Sequence, residues 1–261
     1  GVLKLGWMST GRGLGSFNLL RVVCENIEAG TLDVRLSCVV CNRQQGEAEQ
    51  SDRFLDFVRS KGIPLVSHSS SAFRRSFAGE DWRTEFDRLL SRQIDQFEVE
   101  LFFLAGYMLI VSEFFCTRYV LLNLHPALPD GPKGEWPDVM QVLARTSAPA
   151  TGAMIHIVTP ELDRGPVASY FSFALSGEPF EGFRRRGDYG GLAAAIREHE
   201  LRREFPLILT TLRALAAGDI IISGQRVLDH SGRLLEGGRD LSPEIERLSL
   251  ADVISQLRQL A

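Results

Sequence analysis

Lysine is nearly missing from this chain: only Lys4, Lys61 and Lys133 stand against 26 arginines. The formal charge is nevertheless −4 and the pI about 5.8, so no global basic field exists to hold nucleic acid. The arginine bias fits the codon usage of a GC-rich bacterial genome and is not read as a binding signal. Cysteine is scarce too. Cys24, Cys38, Cys41 and Cys116 are too few for a disulfide scaffold. Cys38 and Cys41 form a C-x-x-C, but inside an apolar run their spacing puts them on opposite faces of a strand. A zinc or redox pair would sit on a turn, and zinc would need two more ligands. Buried structural cysteines are expected, and no metal. No stretch approaches the roughly twenty apolar residues of a membrane span. The N-terminal Val2-Leu3-Lys4-Leu5 reads as a strand rather than a signal peptide. A cytoplasmic protein with no membrane and no nucleic-acid partner is the expectation.

What remains is ordinary globular material: 261 residues, 44% hydrophobic and 24% charged, enough to bury a large core. Short apolar runs alternate with amphipathic stretches in the first half. Strands are predicted at Val2–Trp7, Val34–Cys41, Ile63–Ser67, Val99–Ala105 and Val120–Asn123. Helices are predicted at Phe17–Glu28, Ser51–Lys61 and Asp81–Phe97. That alternation is the βαβ signature of a Rossmann-like, mostly parallel sheet with helices on both faces. Beyond it, Pro126–Pro137 reads as loop, Asp138–Arg145 as helix, and Thr151–Val158 with Val167–Leu175 as an antiparallel pair. Ser176–Tyr189 is a polar excursion. A helix over Leu192–Ala217, interrupted by Pro206, leads to a hairpin at Ile220–Ser223 and Arg226–Leu228 and a closing helix over Pro243–Leu260. One domain is expected over 1–218, halved at 123, with 219–261 as a C-terminal extension.

Chemistry concentrates where strands end, because open α/β sheets keep their ligands along the carboxyl edge. Leu122-Asn123-Leu124-His125-Pro126 closes one apolar strand, and a spacing of two puts Asn123 and His125 on one face. A carboxamide can donate to a developing oxyanion, and a neutral imidazole can take a proton. Satisfying loop backbone groups is the plain alternative for both. A later tight loop, Thr159 to Pro166, offers Asp163, a carboxylate able to orient the imidazole. The three groups together suit attack of an amine on a carbonyl carbon. The first βα turn, Ser9-Thr10-Gly11-Arg12-Gly13-Leu14-Gly15-Ser16, runs into a helix N-terminus that can take a phosphate. A bare tight connection, or a dinucleotide loop, also fits it.

These residues resemble a family: the formyltransferases that use 10-formyltetrahydrofolate. Asn123-Leu124-His125-Pro126, Leu162-Asp163-Arg164-Gly165-Pro166 and Leu104-Ala105-Gly106-Tyr107-Met108 are similar to its motifs, and the likeness runs from Val2 to Ala217. It is nearest to the branch that formylates phosphoribosylglycinamide in purine synthesis. The resemblance implies the formyltransferase fold, with antiparallel strands added in the C-terminal half. It implies 10-formyltetrahydrofolate as co-substrate, small-molecule partners, and a homodimer as an open alternative. It gives Asn123 the formyl oxygen, His125 the proton transfer, and Asp163 the pairing with His125 and a water. Met108, Leu109, Ile110 and Val111, with Thr159, Pro160 and Leu162, would wall the pterin. Thr10, Gly11, Arg12 and Gly13 would hold the acceptor phosphate.

Departures cluster on the acceptor side. The phosphate loop is longer and carries Arg12. Leu109 stands where the family has an arginine, and Leu201 where it has a ribose-binding glutamate, with Glu200 and Glu204 facing other ways. Trp136 is expected to anchor its loop, and Arg184, Arg185 and Arg186 to be a solvated charge run. Competing readings are hydrolysis of the formyl donor, formylation of methionyl-tRNA or another amine, and a non-enzymatic folate- or nucleotide-binding regulator.

Overall fold

The structure, a computed structural model, describes residues 1–248. It divides into two compact units, Gly1–Asn123 with Ile157–Arg164, and Leu124–His156 with Gly165–Ala261.

In the first unit the apolar runs become parallel strands in the order β5-β4-β1-β2-β3. These are β1 (Leu3–Met8), β2 (Val34–Cys41), β3 (Leu65–Ser67), β4 (Leu101–Leu104) and β5 (Leu121–His125), whose last two residues lie in the second unit. The helices are α1 (Leu14–Glu28), α2 (Glu49–Ser60), α3 (Ser70–Ser76), α4 (Trp82–Ile94) and α5 (Glu113–Arg118). Helices cover both faces, so the strands are apolar throughout rather than alternating. Trp7, Leu5 and Met8 are fully buried together on β1. Cys38 and Cys41 are free and buried on β2. Burial pushes their thiols up to about 12 and about 11, which keeps both as unreactive packing groups.

Most ends fall within two or three residues of expectation, and the larger departures are at helices. Helix α1 starts at Leu14, three residues before Phe17, because Leu14-Gly15-Ser16 forms its first turn. Helices α3 and α5 were not expected. Both are short, and each is started by a serine cap: Ser69 accepts from the Ala72 amide, and Ser112 from the Phe115 amide.

In the second unit α6 (Trp136–Arg145) is followed by β6 (Ala150–Ile157) and β7 (Val167–Ala174), which pair antiparallel. β10 (Arg239–Asp240) lies parallel beside β7, and β8 (Ile220–Ser223) with β9 (Arg226–Asp229) forms the expected hairpin. Ser176–Tyr189 contains a further helix, α7 (Phe180–Arg185). Its arginines are individually engaged rather than freely solvated. Arg184 holds the Leu175 carbonyl and Glu181, Arg185 holds Glu178, and Arg186 lies over Phe183. Helix α8 (Tyr189–Ala217) runs through Pro206 without a break. A mid-helix proline costs about 3 kcal/mol; Leu207, Ile208, Leu212 and Leu215 are buried just after it, and that apolar burial outweighs it. The closing helix is present over 242–248; the rest of Pro243–Leu260 lies outside the described residues.

Candidate functional site

The β1–α1 turn is built from the inside out. Ser9, Thr10 and Gly11 are buried, while Arg12 and Gly13 are exposed. Gly11 adopts φ +65°, and a Cβ there would meet Phe54 at 2.9 Å, so only glycine suits the position. The polar groups of Thr10 and Gly11 are already committed. The Thr10 amide donates to Gly106 O at 3.1 Å, and its hydroxyl donates to Asn42 Oδ1 at 2.7 Å. That hydroxyl also accepts from the Met108 amide at 2.9 Å. The Gly11 amide donates to Ser9 Oγ at 3.0 Å. Thr10 and Gly11, expected as phosphate ligands, therefore shape the turn. The groups facing outward are Arg12, Gly13 and the first turn of α1, which has neither a side-chain cap nor an acidic residue. Asn42 and Ser51, which also bonds the Thr10 carbonyl at 3.0 Å, were not singled out from sequence. Asn42 opens a polar run and Ser51 lies within one, so nothing in the sequence marked either.

The segment after β4 alternates. Tyr107, Leu109 and Val111 pack inward against the core cluster around Phe86, Phe115 and Cys116. Met108 and Ile110 point outward, 51% and 55% exposed. Leu109 is thus half-buried and packs against the core, which suits its apolar side chain. Gly106, at φ +66°, brings the segment against Ser16 of α1, leaving 3.0 Å to where a Cβ would be.

Asn123 sits on β5 opposite Leu104 of β4, partly exposed, and its carboxamide has no hydrogen-bond partner among the described residues. The chain leaving β6 is tied back where the Val158 amide donates to Leu121 O at 2.8 Å. Beyond it the Thr159 hydroxyl caps the turn by donating to the Glu161 carbonyl at 2.9 Å. Pro160 lies in this bend, and Leu162 stands 64% exposed. Asp163 takes the left-handed φ of +57°, a conformation aspartate tolerates better than most residues.

In the second unit His125 is 2% exposed, and its Nε2 lies 2.8 Å from Pro132 O. A carbonyl can only accept, so Nε2 carries the hydrogen. A loop carbonyl thus fixes the tautomer from within the Pro- and Gly-rich stretch, a backbone contact of the kind the sequence left open for His125. Trp136, the first residue of α6, stacks on the Arg197 guanidinium at 4.6 Å, which anchors the loop end as expected. Arg197 is held by Glu200 and, at 3.1 Å, by Glu204. Glu200 is fully buried; burial, reinforced by Glu204 and opposed by Arg197, raises its carboxyl well above the usual range. Leu201 is 46% exposed beside it. No group able to hold a metal ion occurs among the described residues.

Comparison with known proteins matches these features to one family. The formyl transferase family matches residues 13–170, more than half of the chain. Phosphoribosylglycinamide formyltransferase of Escherichia coli is 34% identical over 123 residues, 46% of this chain and 54% of that protein. Formyltetrahydrofolate deformylase of Haemophilus influenzae is 29% identical over 142 residues, 53% of this chain and 44% of that protein. The chain thus spans about half the length of these two relatives. Among solved structures, Coxiella burnetii phosphoribosylglycinamide formyltransferase superposes with a TM-score of 0.69 at 21% identity, covering 92% of this chain and 99% of that one. The mostly parallel sheet with antiparallel strands in its C-terminal part is the fold they share. The chain belongs to the formyl transferase family.

Proposed function

We propose that this protein transfers a formyl group from 10-formyltetrahydrofolate to an amine, with 5-phosphoribosylglycinamide as the acceptor, as in purine synthesis. The observation that carries the reading is the end of β5. Asn123 offers a carboxamide without a hydrogen-bond partner among the described residues, and two residues on His125 offers a buried, tautomer-fixed imidazole. Attack of the amine on the formyl carbon puts negative charge on the formyl oxygen. Asn123 donates to that oxygen. His125 takes part in moving the proton the attacking nitrogen must lose to the donor nitrogen, whose bond to the formyl carbon breaks as tetrahydrofolate leaves, with Asp163 favouring the charged imidazole. Met108 and Ile110, Thr159, Pro160 and Leu162 offer the pterin its apolar and backbone wall, while Leu109 and Val111 support that wall from the core. The acceptor phosphate meets Arg12, Gly13 and the first amides of α1, where partial positive charge collects. The transferase domain is 1–218, its substrates are small molecules, and it works in the cytoplasm without metal.

Hydrolysis of the same donor is the second reading. It is favoured by Leu201, an apolar side chain where ribose recognition is expected, with Glu200 sequestered by Arg197 instead of presented. Following loss of the formyl group from 10-formyltetrahydrofolate, with and without phosphoribosylglycinamide, separates them. Transfer predicts consumption that depends on the amine and formylated product in equal amount. Equal consumption without the amine makes water the acceptor, and no consumption at all refutes both.

A further inference from the structure

Asp87 sits on the inward face of α4, fully buried beside Phe86 and Leu90. A carboxylate in such surroundings is costly unless hydrogen bonds compensate it. Its Oδ2 accepts the Ser112 amide at 2.7 Å. Ser112 is also the cap of α5, its hydroxyl accepting the Phe115 amide at 3.3 Å. Asp87 therefore grips the point where the segment after β4 ends and α5 begins. The other end is gripped by Thr10, through Gly106 O and the Met108 amide. Between the two clamps, Met108 and Ile110 face outward and Tyr107, Leu109 and Val111 face in.

A second observation points to the same place. The Tyr107 hydroxyl and Asp87 Oδ1 are both buried without a hydrogen-bond partner among the described residues. The two lie near enough for the charge of Asp87 to bear on that hydroxyl. One is a donor and the other an acceptor. A core built only to be stable would hold apolar groups there, because orphaned polar atoms cost free energy.

We propose that Asp87 is a positioning residue: from behind residues 106–112 it sets the pose in which Met108 and Ile110 meet the pterin of the formyl donor. The assignment rests on the folate reading above. Asp87 touches no substrate and acts through the Ser112 amide. Its loss is felt in donor binding and KM, with the chemical step spared.

The test uses 5-formyltetrahydrofolate, a stable isomer of the donor, titrated by calorimetry, with donor KM and kcat measured alongside. Asp87→Leu, similar in size but unable to accept, should weaken binding and raise KM about tenfold, leaving kcat within about threefold. Asp87→Asn retains an acceptor and should bind within about threefold of wild type. Should the leucine variant not fold, Ser112 supplies a second route, since its φ of −73° suits proline. Ser112→Pro removes the amide and Ser112→Ala keeps it, so the proline variant should bind about tenfold more weakly than the alanine one. Equal affinity within either pair of proteins, wild type with Asp87→Leu or Ser112→Ala with Ser112→Pro, overturns the positioning role alone. Failure of wild type to bind the probe overturns the folate reading, and the assignment with it.

Discussion

At the scale of single residues, polar groups already bonded to the protein are separated from polar groups left available. Thr10 illustrates the first kind: its hydroxyl joins Asn42 to the Met108 amide and has no hydrogen left to donate to a phosphate. Asn123 illustrates the second. Asn123→Ala should lower turnover by roughly two to three orders of magnitude, the usual cost of one oxyanion donor. Its thermal midpoint should stay close to wild type, because no hydrogen bond to a described residue is lost. Single-turnover rates on folded variant check this, and near-normal turnover would remove Asn123 from the mechanism. Asp163 allows a cleaner replacement. Asparagine adopts the same left-handed backbone, so Asp163→Asn changes charge without changing the turn. Turnover should fall at least tenfold, with affinity for 5-formyltetrahydrofolate held within a few-fold. The reverse pattern would make Asp163 part of the wall. Both residues were legible because strand spacing and loop chemistry leave marks on a sequence. Asp87 and Pro132 were not: a buried charge on an amphipathic helix and a loop carbonyl reveal themselves only once their partners are placed.

At the scale of elements, long apolar runs announced themselves and short capped helices did not. Strand β2 has the ends its composition predicts, because seven of its eight residues are buried and only Arg35 reaches solvent. Helices α3 and α5, of seven and six residues, are too short for a helical period to emerge. The start of α1 was displaced because Gly13, Gly15 and Ser16 look like loop, yet Gly13 serves as the cap. That shift matters for the proposed function, since it moves the positive end of α1 into the exposed stretch from Arg12 onward. A phosphate there gains helix-terminus potential and an arginine fork. Arg12→Ala should therefore weaken phosphoribosylglycinamide binding by about tenfold and flatten its dependence on salt. Titrations at low and moderate ionic strength decide it: unchanged affinity at both would show that Arg12 is no ligand.

At the scale of the whole molecule, the chain carries buried carboxyls whose ionisation works against folding. Burial, opposed by the Ser112 hydroxyl and amide, pushes Asp87 up to about 6. Burial and Glu204, opposed by Arg197, raise Glu200 well above its ordinary value. Unfolded carboxyls titrate near 4, so above that the unfolded chain gives up protons the folded one retains. For these two groups stability falls as pH rises from about 4 through the folded pKa, and the loss persists above it. Surface carboxyls act in the other direction. The bond from Lys4 lowers Glu98, and the bond from Arg185 lowers Glu178, so their contribution disappears as pH falls below about 4. His199, lowered by burial and by Arg202 and Arg203, adds a loss of stability on acidification near its own range. Comparing variant with wild type at each pH cancels these background terms. Asp87→Asn should be more stable than wild type at pH 7.5, by roughly 3 kcal/mol for a shift of about two units. The advantage should shrink to a few tenths of a kcal/mol by pH 4, where folded Asp87 is neutral and the unfolded carboxyl is only about half ionised. Glu200→Gln should follow the same course, since glutamine mimics the protonated acid. Urea midpoints at pH 4, 5.5 and 7.5 for the three proteins measure this. An asparagine variant less stable than wild type at pH 7.5 would mean that the Ser112 bonds outweigh burial. In that case the carboxylate at Asp87 would be part of what holds the fold together.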